Sequence, residues 1–171
     1  MKIALDIDGV LADFVTPFLQ LLERRVGGPS IDPASITDPN FQHHPFLTKE
    51  LVYDCMVDTS YDAEFWRGLS PLPSLDQWQA LNQVSRANQV VFITHRFTQE
   101  VKSQLVQKLA VELFVDDRHE NCEDVANQTE AVVMMPHRPY NRAFTHPKVQ
   151  RIQDLDELFA YLGSGITAQR R

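Results

Sequence analysis

The stretch MKIALDIDGVLADF, residues 1–14, decides how this chain folds. Its short apolar run predicts a buried strand that delivers Asp6 and Asp8 into a tight turn at Gly9. Side chains two residues apart on a strand leave it on the same side, so these two carboxylates would crowd together. Such crowding is unfavourable unless a cation or a reacting group shares the site. Alternatively, Asp8 or Asp13 caps a following helix and the glycine only makes a turn.

Beyond this stretch, apolar runs alternate with helical patterns. The apolar runs predict strands that are buried on both faces, at 90–93, 113–115 and 131–135. We expect a helix that begins close to Asp13 and ends at Gly27, one capped by Ser74 with Leu75 on its inner face, and one capped by Asp154. Buried strands that alternate with amphipathic helices predict an α/β fold with a parallel, doubly wound, Rossmann-like sheet.

Polar clusters follow the predicted strands. They are Asp6 with Asp8, Thr94-His95-Arg96, Asp116 with Asp117, and residues 137–141. Right-handed crossovers bring the carboxyl ends of parallel strands to one edge of the sheet. Ligands of open α/β sheets bind at that edge, so the four clusters predict a single functional site.

One segment departs from this regularity. Residues 29–73 contain six prolines and keep no long apolar period. We assign 1–13 and 74–163 to the core, 14–73 to a helix and a small, mainly helical cap insertion, and 164–171 to a flexible tail. The aromatic residues of the insertion either stack on a base or form its small core; they are Phe41, Phe46, Phe65 and Trp66.

Composition excludes several classes of function. With 16 basic and 23 acidic residues, the net charge is −7, which argues against a nucleic-acid polymer as partner because such partners require a basic face. No apolar run is long enough to span a membrane, and the N-terminus lacks the pattern of a signal peptide. Cys55 and Cys122 are too few for a disulfide framework or a zinc site, so we expect buried thiols in a reducing cytoplasm.

The acidic residues at the predicted edge form an oxygen-rich site. Asp6, Asp8 and Asp116, with Asp117 behind them, offer hard ligands that suit Mg²⁺ better than Zn²⁺. Such an ion would relieve the repulsion between the carboxylates and attract an anionic substrate. The hydroxyl of Thr94 and the backbone amides that follow Asp8, at Gly9, can bind oxyanions. Together these groups describe a phosphoryl site.

These motifs resemble those of the haloacid dehalogenase-like (HAD) superfamily. The string Asp6-Ile7-Asp8-Gly9-Val10 is similar to its first motif, Thr94 to its second, and Asp116-Asp117 to its fourth. The longer string DIDGVLADF, with an insertion ahead of the second motif, resembles the 5'(3')-deoxyribonucleotidase branch. Because an acid stands at the second position of the first motif, the resemblance implies a phosphatase rather than a dehalogenase.

The resemblance also implies a role for each matching residue. Asp6 would attack phosphorus and become a transient aspartyl phosphate. Asp8 would protonate the leaving oxygen and then take a proton from the hydrolytic water. Asp6, the backbone carbonyl of Asp8, and Asp116 would hold Mg²⁺, with Asp117 supporting its water shell. Thr94 would hydrogen-bond a phosphoryl oxygen.

The third motif of the superfamily is a Lys, or sometimes an Arg, that steadies the nucleophile. It usually lies between the helix of the second motif and the strand of the fourth, and here that interval is shortened. We favour Lys102 as the counterpart; the alternative is a solvated lysine on a helix surface. Arg96 or Arg118 could supply the cation instead. His95 and Arg96, beside Thr94, are also assigned to substrate binding.

The leading hypothesis is therefore a Mg²⁺-dependent phosphatase acting on a small phosphomonoester, with a nucleotide as the favoured substrate. A non-catalytic or regulatory phosphate-binding module of the same fold is the alternative, and the uncertain third-motif lysine is its motivation. A receiver-like signalling domain also clusters acids on a parallel sheet, but it lacks the Asp-x-Asp spacing and an insertion of this size. Tight ligand binding without turnover would favour the non-catalytic module.

Overall fold

The computed structural model describes residues 1–41, 43–94 and 101–168 of the chain. The strands are β1 (Lys2–Leu5), β2 (Ala12–Asp13), β3 (Ser70–Pro71), β4 (Gln89–Phe92), β5 (Leu113–Val115), β6 (Val132–Pro136) and β7 (Val149–Ile152). The α-helices are α1 (Val15–Val26), α2 (Lys49–Ser60), α3 (Ala63–Arg67), α4 (Leu75–Ala87), α5 (Lys102–Lys108), α6 (His119–Gln128) and α7 (Leu155–Ala168). Short 3₁₀ turns lie at Pro33–Ser35 and Pro139–Asn141.

A five-stranded sheet in the order β4-β1-β5-β6-β7 forms the centre of the molecule, and all of its strand pairs are parallel. Helices connect the strands, which confirms the predicted α/β fold class. The first strand lies between β4 on one side and β5 on the other, so the strand order switches direction there. At such a switch the connections leave to opposite faces and open a crevice beyond the carboxyl end of the strand.

The predicted strands differ in how deeply they are buried. Strand β5 is fully buried, as its continuous apolar run predicts. Strand β4 was expected to be buried on both faces, but it lies at the edge of the sheet and its Phe92 is 54% exposed. Strand β7 was not predicted, because its sequence, Val-Gln-Arg-Ile, buries only Ile152.

Local capping explains where the helices begin. The Oδ1 atom of Asp13 accepts a hydrogen bond from the backbone N–H of Thr16 at 3.1 Å, so α1 starts close to the predicted residue. That helix ends at Gly27, whose φ of 63° is left-handed. Helix α4 begins with a capping box between Ser74 and Gln77. However, Leu75 is 74% exposed rather than on the inner face, since the first turn of α4 extends past the core.

At the other end of the chain, Asp154 caps α7 by accepting a hydrogen bond from the backbone N–H of Asp156 at 2.9 Å. The helix continues to residue 168, past residue 164, where the flexible tail was predicted to begin. Among the described residues, no helix combines the length and the apolar character that crossing a membrane would require.

The inserted segment forms a small helical cap with a core of its own. Its apolar cluster combines residues of α1, the 31–47 loop and α2, and it includes Phe14, Phe18, Ile31, Phe41, Val52 and Cys55. Below the cap, Ala12 and Asp13 pair with Pro71 and Ser70 in an antiparallel ladder, β2 with β3. The two ends of the insertion are therefore tied together at the point where it leaves the sheet.

Candidate active site

The two central strands of the sheet each end in a carboxylate. Asp6 follows β1 and its backbone N–H donates to the carbonyl of Val115 at 2.8 Å, while Asp116 follows β5 directly. This pairing brings Asp6, Asp116 and Asp117 together, with one carboxylate oxygen of each lying within 4.8 Å of one oxygen of the other two. All three side chains are buried. Acids far apart in the sequence therefore meet at one point.

A lysine lies against these acids. The Nζ atom of Lys102 is 3.1 Å from Oδ1 of Asp6 and also forms an ion pair with Asp116. Lys102 is only 2% exposed, which excludes the solvated surface lysine considered from the sequence. It is the first residue of α5, and that helix begins beside the carboxyl edge of the sheet. A side chain of this length can therefore reach the end of β1 without the longer connection that the superfamily pattern leads one to expect.

Hydrogen bonds distinguish the three carboxylates. Both oxygens of Asp116 accept hydrogen bonds: Oδ1 from the backbone N–H of Arg118 at 2.8 Å, and both from the side-chain amide of Asn121. By contrast, Oδ1 of Asp117 is buried and has no hydrogen-bond partner within the described part of the chain, and the buried Oδ1 of Asp6 contacts only the ammonium of Lys102. Buried carboxylate oxygens without a donor are costly, and they are the atoms that a bound cation would satisfy.

The same crowding changes the acidity of these groups. Burial and the neighbouring Asp116 carboxylate raise the pKa of Asp6 well above its ordinary value, although Lys102 acts in the opposite direction. Burial and Asp116 also raise the pKa of Asp117, to about 7. Burial alone would lower the pKa of Lys102, but Asp116 and Asp6 raise it, so the ammonium stays charged. Such shifts are typical of sites where a cation or a reacting group belongs.

The remaining predicted residues surround this centre. Asp8 is half-buried, and the hydroxyl of Thr94 lies 3.5 Å from its Oδ2, within reach of a weak hydrogen bond. Its carboxylate is not a member of the three-acid cluster found among the described residues. Gly9 lies against the cluster, but its N–H donates to the carbonyl of Ala12 at 2.9 Å instead of pointing to an open anion nest.

Two predicted substrate-binding residues, His95 and Arg96, lie outside the residues that the structure describes.

Arg118, the other cation considered, donates from Nη2 to Oδ1 of Asn40 in the cap, at 2.8 Å. Its guanidinium is therefore engaged with the cap, while Lys102 contacts the predicted nucleophile.

Residues outside the matched motifs also contact the acids; the sequence placed 137–141 at this edge but gave no indication of Asn121. Asn121, in the first turn of α6, donates to Asp116, and the hydroxyl of Tyr140 donates to Oδ2 of Asp117. The side chain of Asn141 donates to the backbone carbonyl of Asp117 at 2.7 Å. The only signal for the last two is their position in the Pro-Tyr-Asn turn that follows β6 at the active edge.

A cavity of about 220 Å³ opens over the acids. Asp6, Asp8, Lys102 and Asp117 line its floor, while Phe14, Phe41, Met56 and Trp66 line the side toward the cap. The ring of Trp66 stacks on that of Phe14, with centroids 5.6 Å apart and planes inclined by 14°. The cavity therefore combines a charged floor with an aromatic wall.

Known proteins provide an independent comparison. Residues 1–111 match the family model described as "5' nucleotidase, deoxy (Pyrimidine), cytosolic type C protein". The match contains Asp6, Asp8, Thr94 and Lys102, and Asp116 with Asp117 follows just beyond it. No curated protein sequence matches the chain.

A solved structure of a HAD-superfamily hydrolase of subfamily IA, variant 1, from Geobacter sulfurreducens PCA is similar over 94% of this chain and 95% of that chain, with 13% identity and a TM-score of 0.49. The family match covers well over half of the chain and confirms the resemblance drawn from its motifs. The chain therefore belongs to the HAD-like family of 5' nucleotidase, deoxy (pyrimidine), cytosolic type C proteins and is a phosphoric monoester hydrolase.

Proposed function

We propose that this enzyme hydrolyses nucleoside monophosphates in a Mg²⁺-dependent reaction, with Asp6 as the nucleophile and an aspartyl phosphate as the intermediate. One observation carries the proposal: Asp6 directly follows the inner strand β1, lines the cavity, and lies beside Lys102 and two further acids. A buried carboxylate at a strand end with a lysine in contact has the geometry of an activated nucleophile.

The donor set fits Mg²⁺. The acids offer only oxygen atoms, which this ion prefers, and no His or Cys belongs to the cluster of the described residues. Asp117 keeps one buried oxygen without a hydrogen-bond donor among the described residues, and Oδ1 of Asp6 contacts only the ammonium of Lys102, whereas both oxygens of Asp116 accept hydrogen bonds. We therefore assign direct contact with the ion to Asp6 and Asp117, with the backbone carbonyl of Asp8, and a supporting position to Asp116. When bound, the ion supplies positive charge that neutralises the phosphoryl oxygens.

The chain's own residues then divide the reaction between them. The Asp6 carboxylate attacks phosphorus, while Asp8 gives its proton to the leaving ester oxygen and later takes one from the attacking water. The ammonium of Lys102 stabilises the charge that develops next to Asp6. Thr94, whose hydroxyl is near Asp8, is placed to hydrogen-bond a phosphoryl oxygen.

The cap supports a nucleotide as the substrate. Its aromatic wall, with Trp66 and Phe14 stacked and Phe41 beside them, is suited to the flat face of a base. Phe41 is only 3% exposed and also belongs to the cap core, whereas Phe46 is exposed and does not line the cavity. Both cysteines are free and buried, which supports a reducing compartment such as the cytoplasm.

A phosphate-binding module without activity is the weaker alternative. Its motivation was the apparent lack of a third-motif lysine, and Lys102 at the nucleophile removes that motivation. The family match also favours the hydrolase.

The test compares phosphate release from a panel of nucleoside monophosphates and small phosphoesters, with Mg²⁺, by the native chain and by Asp6→Asn. This nearly isosteric change removes the nucleophilic oxygen, so we expect turnover to fall by roughly a thousandfold or more. Asp156→Asn, an exposed acid on α7, serves as the control and should keep full activity. Mass spectrometry of rapidly quenched reactions should find phosphate on Asp6. Equal turnover by Asp6→Asn would refute the proposed nucleophile.

A further inference from the structure

The turn that follows β6 contacts the acidic site at three points. Nε of Arg138 donates to the carbonyl of Gly9 at 2.9 Å, and the side chain of Asn141 donates to the backbone carbonyl of Asp117 at 2.7 Å. Between them, the hydroxyl of Tyr140 donates to Oδ2 of Asp117. The proposed reaction assigns no step to these three residues, although each of them makes a hydrogen bond to the site.

The tyrosine hydrogen bond divides the two oxygens of Asp117 between two functions. Oδ2 is held by Tyr140, while Oδ1 is buried and has no hydrogen-bond donor in the described part of the chain. The two oxygens of a carboxylate are bonded to one planar carbon atom at a fixed angle. Fixing the position of Oδ2 therefore also fixes where Oδ1 lies, and Oδ1 is the oxygen left for a cation.

Close packing prevents Asp117 and Tyr140 from exchanging this arrangement for another. A Cβ atom added to Gly9 would overlap with the Asp117 carboxylate and would come within 2.8 Å of the Tyr140 hydroxyl. The bare backbone of Gly9 thus leaves just enough room for the pair. The phenol ring is 7% exposed and belongs to the apolar cluster of the cap, so the tyrosine is fixed at both ends.

We infer that Tyr140 is a positioning residue whose hydroxyl orients Asp117 so that Oδ1 faces the bound cation. This inference rests on the proposed function in one respect, the assignment of Asp117 as a ligand of Mg²⁺. Groups that hydrogen-bond a metal ligand from behind fix its orientation, and their removal typically weakens metal binding about tenfold to a hundredfold. Because the ring of Tyr140 packs in the cap, the same side chain connects the cap core to the metal site.

The test measures Mg²⁺ binding directly, by isothermal titration calorimetry of the full chain without substrate. Tyr140→Phe keeps the buried ring and removes only the hydroxyl, and Tyr61→Phe, at a tyrosine that is 87% exposed, is the matched control. We expect Tyr140→Phe to raise the Kd for Mg²⁺ about tenfold or more and Tyr61→Phe to leave it unchanged. In an Asp117→Asn background, Tyr140→Phe should have no further effect on the Kd.

A crystal structure of the native chain with Mg²⁺ provides a second measurement. It uses no variant, so it does not require any variant to fold. We expect Oδ1 of Asp117 to bind the ion while Oδ2 keeps its hydrogen bond to Tyr140. Tyr140→Phe binding Mg²⁺ as tightly as the native chain, or Oδ2 leaving the tyrosine to bind the ion, would overturn the inference alone. Failure of the native chain to bind Mg²⁺ would overturn the proposed function and this inference with it.

Discussion

At the scale of single residues, Lys102 shows what decides whether a charged side chain belongs to a site. The sequence offers it as an ordinary lysine at the start of a helix, and only the placement of α5 beside the end of β1 gives it a role. In the structure, one ammonium is shared by Asp6 and Asp116 and is almost fully buried. Removing one partner of such a buried group typically costs about 3–5 kcal/mol, because the other charges stay buried.

Gly9 is the residue whose replacement tests the packing of the site. Its φ of 74° is left-handed, and a side chain there would overlap with Asp117. We expect Gly9→Ala to abolish most of the phosphatase activity and to lower the free energy of unfolding by more than the roughly 1 kcal/mol that left-handed strain alone costs. Activity assays and chemical denaturation of the purified variants measure both effects.

Gly27 supplies the matched control for this prediction. Its φ of 63° is equally left-handed, but a Cβ there would meet no atom within 4 Å. Gly27→Ala should therefore show the strain without the overlap, with a loss of about 1 kcal/mol and normal activity. Equal activity losses in the two variants would mean that backbone strain, rather than the approach to Asp117, makes Gly9 necessary.

At the scale of elements, a continuous apolar run identifies a strand in the sequence, but the run does not show how deeply the strand is buried. Strands β1, β5 and β6 carry continuous apolar runs because other strands flank them on both sides and helices cover both faces. At the edges of the sheet this constraint relaxes. Strand β7 was missed because two polar residues separate its apolar ends and only Ile152 is buried, and β4, predicted to be buried, is partly exposed.

The residues of the site also differ in how far the sequence predicts them. Asp6, Asp8, Thr94 and the Asp116-Asp117 pair could be predicted to lie at this edge, since each comes shortly after a strand and the carboxyl ends of parallel strands meet. Residues 137–141 were placed at the same edge, but the contacts of Tyr140 with Asp117 and of Asn121 with Asp116 could not be predicted, because they depend on how a turn and a helix pack. Short motifs mark the groups at strand ends, whereas the groups that orient them depend on how the elements pack.

The cap helices allow a prediction about substrate choice. Trp66 of α3 lines the cavity and stacks on Phe14, so it provides the aromatic surface on which a base would lie. We expect Trp66→Leu to raise KM for nucleoside monophosphates roughly threefold to tenfold, the value of one aromatic contact, and to change kcat little. Steady-state kinetics with a nucleoside monophosphate and with glycerol phosphate, which has no base, measure the difference.

Trp78→Leu is the control for this substitution, because Trp78 lies on α4 and does not line the cavity. It should leave both kinetic constants unchanged. If Trp66→Leu raised KM equally for glycerol phosphate, Trp66 would affect substrates with and without a base alike. The proposal that the aromatic wall binds a base would then be wrong.

At the scale of the whole molecule, charge sets the conditions under which this enzyme works. A chain with a net charge of −7 repels an anionic substrate, and its cavity is lined, among the described residues, by three carboxylates, with Lys102 and Arg118 as the cations. A bound divalent cation would offset this negative charge, so under the proposed function we expect it to promote substrate binding as well as chemistry. The same charges should also control the stability of the metal-free protein.

Because of these carboxyl groups, the free energy of unfolding of the metal-free chain should fall as the pH rises from about 4 to about 7. The pKa of Asp117 is raised to about 7 and that of Asp6 is raised as well, so the folded state holds protons that the unfolded state has released. When the folded state binds more protons, the free energy of unfolding falls with pH, by up to about 1.4 kcal/mol per pH unit for each group. Lys102 stays charged across this range and does not reverse the sign.

Calorimetry of the native chain and of Asp117→Asn, at pH 5 and pH 8 with and without Mg²⁺, measures this dependence. Without the ion at pH 8, Asp117→Asn should melt a few degrees above the native chain, since it removes a buried charge that has no compensating cation. At pH 5, where Asp117 is protonated in the folded state, the two should melt closer together. Mg²⁺ competes with protons for the same oxygens, so it should raise the Tm of the native chain more at pH 8 than at pH 5. An equal effect of Mg²⁺ at both pH values would show that the ion binds away from these carboxylates.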